Sequence, residues 1–149
     1  MTLPIAYDRV AFRIQLTLQR YALAHEKQQA LIDRMHVLQR SSPEVKAAAL
    51  ISLDGLIIAS ALSPEMSEDR ISAMSASILS LAEGMARETA CGKLEQVHFK
   101  GEDGHVVLMA VGDQAVLTAL VEPQAKMGVL LMDMRHTAGD LARLLLPAE

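Results

Sequence analysis

Residues 93–122 read KLEQVHFKGEDGHVVLMAVGDQAVLTALVE: three short apolar runs separated by two glycine-containing turns, Gly101 to Gly104 and Gly112-Asp113. Turns of this kind join neighbouring antiparallel strands, so the stretch predicts a three-stranded meander. With register set at those turns, Val97, Phe99, Val106, Leu108, Ala110, Leu117 and Ala119 share one face, and Val107, Met109, Val111, Val116 and Leu120 the other. Neither set belongs in water. An antiparallel sheet normally alternates apolar with polar residues because one side is solvated, so near-continuous apolar strands call for helices on both sides.

The preceding segments supply two more strands and a helix. Residues 46–62, KAAALISLDGLIIASAL, carry Asp54-Gly55, a strong short hairpin signal that requires positive φ at both turn positions in its tightest form. Strands over about 46–53 and 56–62 follow. Pairing across the turn sets Ile51 opposite Ile58 and Leu53 opposite Leu56 on one face, with Leu50, Ile57 and Ala59 on the other. Ser67 followed by Glu68 and Asp69 marks a helix start, because a serine oxygen caps free amides and acids suit the positive end of the helix dipole. The helix runs from about 68 to 90, and Gly92 is its expected stop.

At the carboxy end, Met127, Leu130, Met134, Ala138, Leu141 and Leu145 form a helical stripe that Pro147 terminates. At the amino end, Leu31, Met35 and Leu38 recur at helical spacing up to about Arg40, where Ser41-Ser42-Pro43 breaks the pattern. Upstream, Val10, Phe12, Ile14, Leu16 and Leu18 alternate like a strand, while Val10, Ile14, Leu18 and Tyr21 also form a helical stripe. Helix is favoured because no turn residue separates this stretch from the helix that follows. The predicted fold is α+β: a three-layer α/β/α sandwich on a five-stranded antiparallel sheet, in the order helix, two strands, helix, three strands, helix.

The 149 residues suit one core, and no linker or internal repeat divides them. Composition argues against several functions. Nine methionines stand against four aromatic rings, too few for base stacking, and 14 Lys plus Arg against 18 Asp plus Glu is the wrong balance for a phosphate footprint. Nucleic acid is therefore not an expected partner. Charged residues interrupt the amino-terminal apolar stretches and no uncharged run is long enough to span a bilayer, so neither export nor membrane insertion is expected. A lone cysteine, Cys91, requires no oxidising compartment. The expected location is the cytoplasm.

No catalytic pattern emerges. Neither GxxxxGK[ST] nor GxGxxG is present, and no GxSxG marks a nucleophile elbow. Gly101-Glu102-Asp103-Gly104 lacks the ligand spacing of a calcium loop. His25, His36, His98, His105 and His136 show no metal-ligand spacing, and with Lys100 opposite His105 the two sheet histidines are not cross-strand partners. Cys91, near a helix carboxy end, has no activating base. No catalytic residue, cofactor or metal is expected.

The middle helix, ISAMSASILSLAEGMARE over 71–88, is more informative, being free of charge from Ile71 to Ala82. Ile71, Met74, Ile78, Leu81 and Met85 form the stripe expected to face the sheet. Ala73, Ser77, Ser80 and Gly84 form a row of small residues on another side. Small side chains permit close helix packing, and a twofold axis lets the same row in a second copy be its partner.

The Pro43-Glu44-Val45 lead-in, the hairpin AALISLDGLIIAS, the run GKLEQVHFKGEDGHVVLMAVGDQAVLTALV and the helix MGVLLMDMRHTAGDL together resemble the Roadblock/dynein-light-chain family over about residues 27–147. The resemblance implies a Roadblock-like domain over 27–149 preceded by an amino-terminal extension over 1–26. It also implies homodimers formed through the middle helix and the edge strand after it, which adds Lys93 and Glu95 to Ala73, Ser77, Ser80 and Gly84 as interface residues. Family members are generally noncatalytic platforms that hold or regulate small Ras-like GTPases, as in bacterial gliding-polarity modules, or scaffold dynein and lysosomal complexes. The implied function is a dimeric adaptor or GTPase regulator. A small-ligand sensor with a methionine-lined pocket beside the sheet is the alternative, distinguished by a cavity of several hundred cubic ångströms. In the extension, Phe12, Leu16 and Leu23 form a second stripe opposite Val10, Ile14, Leu18 and Tyr21, so residues 5–23 are expected to meet another chain.

Overall fold

The computed structural model describes residues 5–147; residues 1–4 of the expected extension and 148–149 of the expected domain lie outside it. In chain order the elements are α1 (Ile5–Ser41), β1 (Val45–Ser52), β2 (Ile57–Ala61), α2 (Glu68–Glu88), β3 (Gln96–Gly101), β4 (Gly104–Val111), β5 (Ala115–Val121) and α3 (Met127–Leu145). The strands form one antiparallel sheet ordered β2-β1-β5-β4-β3. The second half of α1 packs with α3 on one face, and α2 lies over β1, β2 and β5 on the other. The three-layer expectation and the element order both hold, and the 10–18 segment is helical rather than a strand.

The main core lies between the sheet and the α1–α3 pair. Leu31, Met35 and Leu38 of α1 and Leu130, Met134 and Leu141 of α3 meet Leu50, Val107, Met109 and Leu117 there. These are the two helical stripes read from the sequence. Arg34 Nε donates to Asp140 Oδ2 at 2.7 Å, and Ser42 Oγ donates to Asp133 Oδ2 at 2.5 Å, tying α1 to an antiparallel α3.

Three local expectations need correction. The β4–β5 turn is a three-residue loop, with Val111 opposite Ala115 and Gly112 at φ 55°, rather than a two-residue one. One extra residue reverses the faces of β5. Leu117 and Ala119 therefore join Val107, Met109 and Val111 in the main core, whereas Val116, Thr118 and Leu120 share the α2 side with Val106, Leu108 and Ala110. In the first hairpin only Gly55 has positive φ (88°). Ser52 N donates to Leu56 O at 2.8 Å, closing a longer turn around Leu53, Asp54 and Gly55, while the Ser52 hydroxyl donates to Asp54 Oδ1 at 2.5 Å and accepts from Leu56 N at 3.0 Å. Ile51 thus pairs with Ile57 rather than Ile58; a bulge then restores the expected Leu50–Ala59 pairing and sends Ile58 to the main core. At the end of α2 the left-handed residue that closes the helix is Ala90, φ 55°, two positions before the expected Gly92, and Cys91 N donates back to Ala86 O at 2.9 Å.

Candidate functional site

The start of α2 is as its sequence predicts: Ser67 Oγ accepts from Arg70 N at 3.3 Å, with Glu68 and Asp69 in the first turn. Its rotation about its own axis is not. The buried residues are Ser72, Ser75, Leu79 and Ala86, mostly small ones. Small side chains let the helix approach β1, β2 and β5 closely; Thr118 Oγ1 donates to Ser75 Oγ at 3.0 Å inside that contact. Gly55 in the β1–β2 turn also sits against α2, where a Cβ would lie 3.5 Å from Ala76 Cβ and 3.7 Å from Ala73 Cα. The larger stripe therefore does not face the sheet. Leu81 is 76% exposed, Met85 66% and Met74 57%, with Ile71 and Ile78 half-buried.

That outward stripe borders a part of the sheet that α2 leaves uncovered. Val97, Val106 and Leu120 are half-buried and Phe99 is 45% exposed, all on the α2 side of β3, β4 and β5. Among the described residues β3 is an edge strand bonded only to β4, so one row of its backbone donors and acceptors has no strand partner there. An apolar helix flank, an apolar strip of sheet and an open strand edge thus meet on one side of the molecule.

The small-residue row lies on the other flank of α2. Ala73, Ser77 and Ser80 are exposed and Gly84 is half-buried; Ser77 Oγ is turned back to Ala73 O at 2.9 Å. Leu53, Asp54 and Gly55 face Ala73, Ser77 and Ser80 across a shallow depression. Lys93 and Glu95 are exposed on the lead-in to β3. Lys93 Nζ donates to Asp113 Oδ1 at 2.9 Å, and that bond raises the lysine above, and lowers the aspartate below, its ordinary pKa. Glu95 O accepts from Ala110 N at 3.1 Å, so the ladder continues past the start of β3. The structure brings Lys93 and Glu95 to the β3 edge but leaves the small row on the far flank of α2.

Beside the lead-in, Leu94, Gln96, Met109, Ala138 and Ala142 help line a cleft of about 410 Å³, with Lys93, Glu95 and Arg135 also on its walls. On the same face of the sheet, His98 and His105 meet as diagonal neighbours although their backbones are not paired: His98 Nε2 lies 2.9 Å from His105 Nδ1. His105 Nε2 is 3.2 Å from Pro123 O, which can only accept, so in the neutral ring this nitrogen is the donor and Nδ1 is the acceptor facing His98. Sequence register could not show this contact because it runs along the sheet diagonal. Among the described residues no three His, Cys, Asp or Glu side chains gather as metal ligands would, and no helix is long and apolar enough to cross a membrane.

These features define an α/β/α sandwich module whose conspicuous surface is an apolar edge rather than a polar catalytic cleft. The Roadblock/LC7 domain description matches residues 31–121, and the chain belongs to that family. A protein of Methanocaldococcus jannaschii is 28% identical over 111 residues, covering 74% of this chain and 96% of its own. Among solved structures, MglB in a tetrameric arrangement superposes with a TM-score of 0.72 at 17% identity, covering 79% of this chain and 89% of its own. MglB of Myxococcus xanthus gives 0.71 at 17% identity, covering 83% and 94%. Roadblock/LC7 proteins are generally noncatalytic adaptors.

Proposed function

We propose that the chain is a noncatalytic homodimeric adaptor that binds a small Ras-like GTPase and modulates its nucleotide cycle or location. The observation that carries the reading is the outward turn of α2. Met74, Leu81 and Met85 are exposed in the protomer, while the small residues Ser72, Ser75 and Ala86 of the same helix are buried. Contiguous apolar surface beside an open strand edge suits a self-complementary interface, in which two α2 helices pack and two β3 edges continue one sheet. Lys93 and Glu95 then lie at the rim. Ala73, Ser77, Ser80 and Gly84 line the other accessible flank of α2 and are the proposed contact for a second helix crossing there.

Membership of the Roadblock/LC7 family, whose fold is consistent with GTPase-regulating adaptors, supports a GTPase as the partner, and the likeness to MglB supports the same reading. The chain has no phosphate-cradling loop of its own, so the nucleotide resides on the partner. The test has two parts: capture from the source cell identified by mass spectrometry, then GTP hydrolysis by the captured GTPase with and without this chain. Calorimetry of the isolated chain with GTP and GDP should show no binding at micromolar concentration. Micromolar or tighter nucleotide binding by the chain alone overturns the proposal.

The cleft of about 410 Å³ is the observation that favours a ligand sensor. It lies at the sheet edge, between the β3 lead-in and α3, rather than beneath the sheet. Ligand there would act at the rim of the same proposed dimer.

A further inference from the structure

The open edge of β3 offers a defined set of bonding groups. Ala110 N donates to Glu95 O at 3.1 Å, and the alternation of an antiparallel ladder from that pair turns the backbone groups of Val97 and Phe99 toward β4 and those of Gln96, His98 and Lys100 outward. Side chains alternate between the two faces. Val97 and Phe99 lie on the apolar α2 side, whereas Gln96, His98 and Lys100 lie on the α3 side, where His98 and Lys100 are exposed.

When two such edges continue one sheet about a twofold axis, like faces stay together, so a residue pairs only with one on its own side of the sheet. Three central registers satisfy this. Pairing centred on Val97 sets Phe99 against the partner's Glu95, and pairing centred on Phe99 leaves Val97 against the partner's Gly101. Pairing centred on His98 instead places Val97 opposite the partner's Phe99 twice, on the apolar side, and joins the two chains through the groups that already point outward.

We propose that the β3 edges of two copies pair about His98, which brings the two His98 side chains together on the α3 side and lets proton uptake loosen the dimer; the inference rests on the dimer reading above. Within one protomer a proton on His98 is tolerated. His105 Nε2 donates to Pro123 O at 3.2 Å and its Nδ1 faces His98 Nε2 at 2.9 Å, so His98 remains the donor whether neutral or charged. Across the axis it is not tolerated, because the two Cα atoms of such a pair lie about 5.5 Å apart and two like charges there repel. The surroundings add to the repulsion: Lys100 follows on the same face, opposite His105 of β4, and Arg135 of α3 lines the adjoining cleft. The acids of the flanking segments are Glu102 and Asp103 in the β3–β4 turn and Glu122 after Val121, the β5 partner of His105. An imidazole ordinarily takes up its proton near pH 6.5, so association expels protons and weakens as pH falls below that value.

Disulfide trapping in the full chain, on a Cys91→Ser background, reads the register. Mixed Val97→Cys and Phe99→Cys chains should cross-link to each other under mild oxidant, since their Cα atoms would lie about 4.5 Å apart, and neither should cross-link to itself. A dominant self cross-link of either chain overturns the His98-centred pairing. Sedimentation equilibrium reads the proton effect: wild-type association should weaken about 10- to 100-fold from about pH 8 to about pH 5.5, as one or two protons are taken up per dimer. His98→Gln, which keeps a donor for His105 Nδ1, should associate as the wild type does at the higher pH and lose the dependence. A wild-type constant steady within threefold, or an equal fall in His98→Gln, overturns the proton effect. A chain that stays monomeric at the higher pH overturns the dimer reading as well, whereas absence of every cross-link in a dimer that Leu81→Ser dissociates overturns the edge pairing and leaves the α2 contact standing.

Discussion

Replacing Leu81 by serine separates two accounts of α2 that make opposite predictions. If the larger stripe faced the sheet, Leu81→Ser would remove a core side chain and lower the stability of the protomer by about 2 to 5 kcal/mol. In the structure Leu81 is 76% exposed and touches the sheet little, so the protomer should lose less than about 0.5 kcal/mol, the usual range for a surface change. The cost should instead fall on association. Full burial of a leucine contributes about 1.5 to 3 kcal/mol, so covering the remaining three-quarters in each of two copies amounts to roughly 2 to 4 kcal/mol. That weakens the dimer on the order of 30- to 1,000-fold. Sedimentation equilibrium over a dilution series measures the association constant, and urea unfolding at a concentration where the chain is monomeric measures the protomer. Association unchanged within threefold, together with a protomer loss above about 1 kcal/mol, refutes the outward orientation of α2.

Thr118→Val should destabilise the protomer by about 1 to 3 kcal/mol, because it leaves the buried Ser75 hydroxyl without its partner, and adding Ser75→Ala should recover part of that loss in urea unfolding. Gly104→Ala should cost about 1 to 3 kcal/mol, since a Cβ there would lie 2.9 Å from the Val121 carbonyl oxygen, backbone that cannot swing aside. The hydrogen bond from Arg34 holds the Asp140 carboxyl below its ordinary pKa, opposed by partial burial and helped by the charges of Arg34 and Arg143. A lowered folded-state pKa contributes stability at neutral pH that is lost as pH falls below the ordinary carboxylate value toward the folded one. Arg34→Met should therefore cost under about 1 kcal/mol at pH 7, given a partly exposed pair, and flatten the acid limb of the stability curve; an unchanged acid limb sinks the assignment.

Much of this molecule is written in local pattern. The strand runs between glycine turns, the Ser67 cap, the Ser-Ser-Pro break and the stripes of α1 and α3 all act over a few residues, and each falls where the sequence puts it. From them follow the element order, the antiparallel meander and the need for helices on both faces. Tertiary structure decided what depends on a count or on a neighbour. Whether Gly112-Asp113 closes a two- or three-residue loop is a difference of one residue, yet it exchanges the two faces of β5. Periodicity likewise gives α2 two unlike faces without naming the one the sheet receives. Burial alone selects the larger stripe; close approach to β1, β2 and β5, the Gly55 turn and the Thr118 hydroxyl select Ser72, Ser75 and Ala86 instead. The apolar residues left outside are what carry the proposed function, and their exposure depends on contacts between segments far apart in the chain.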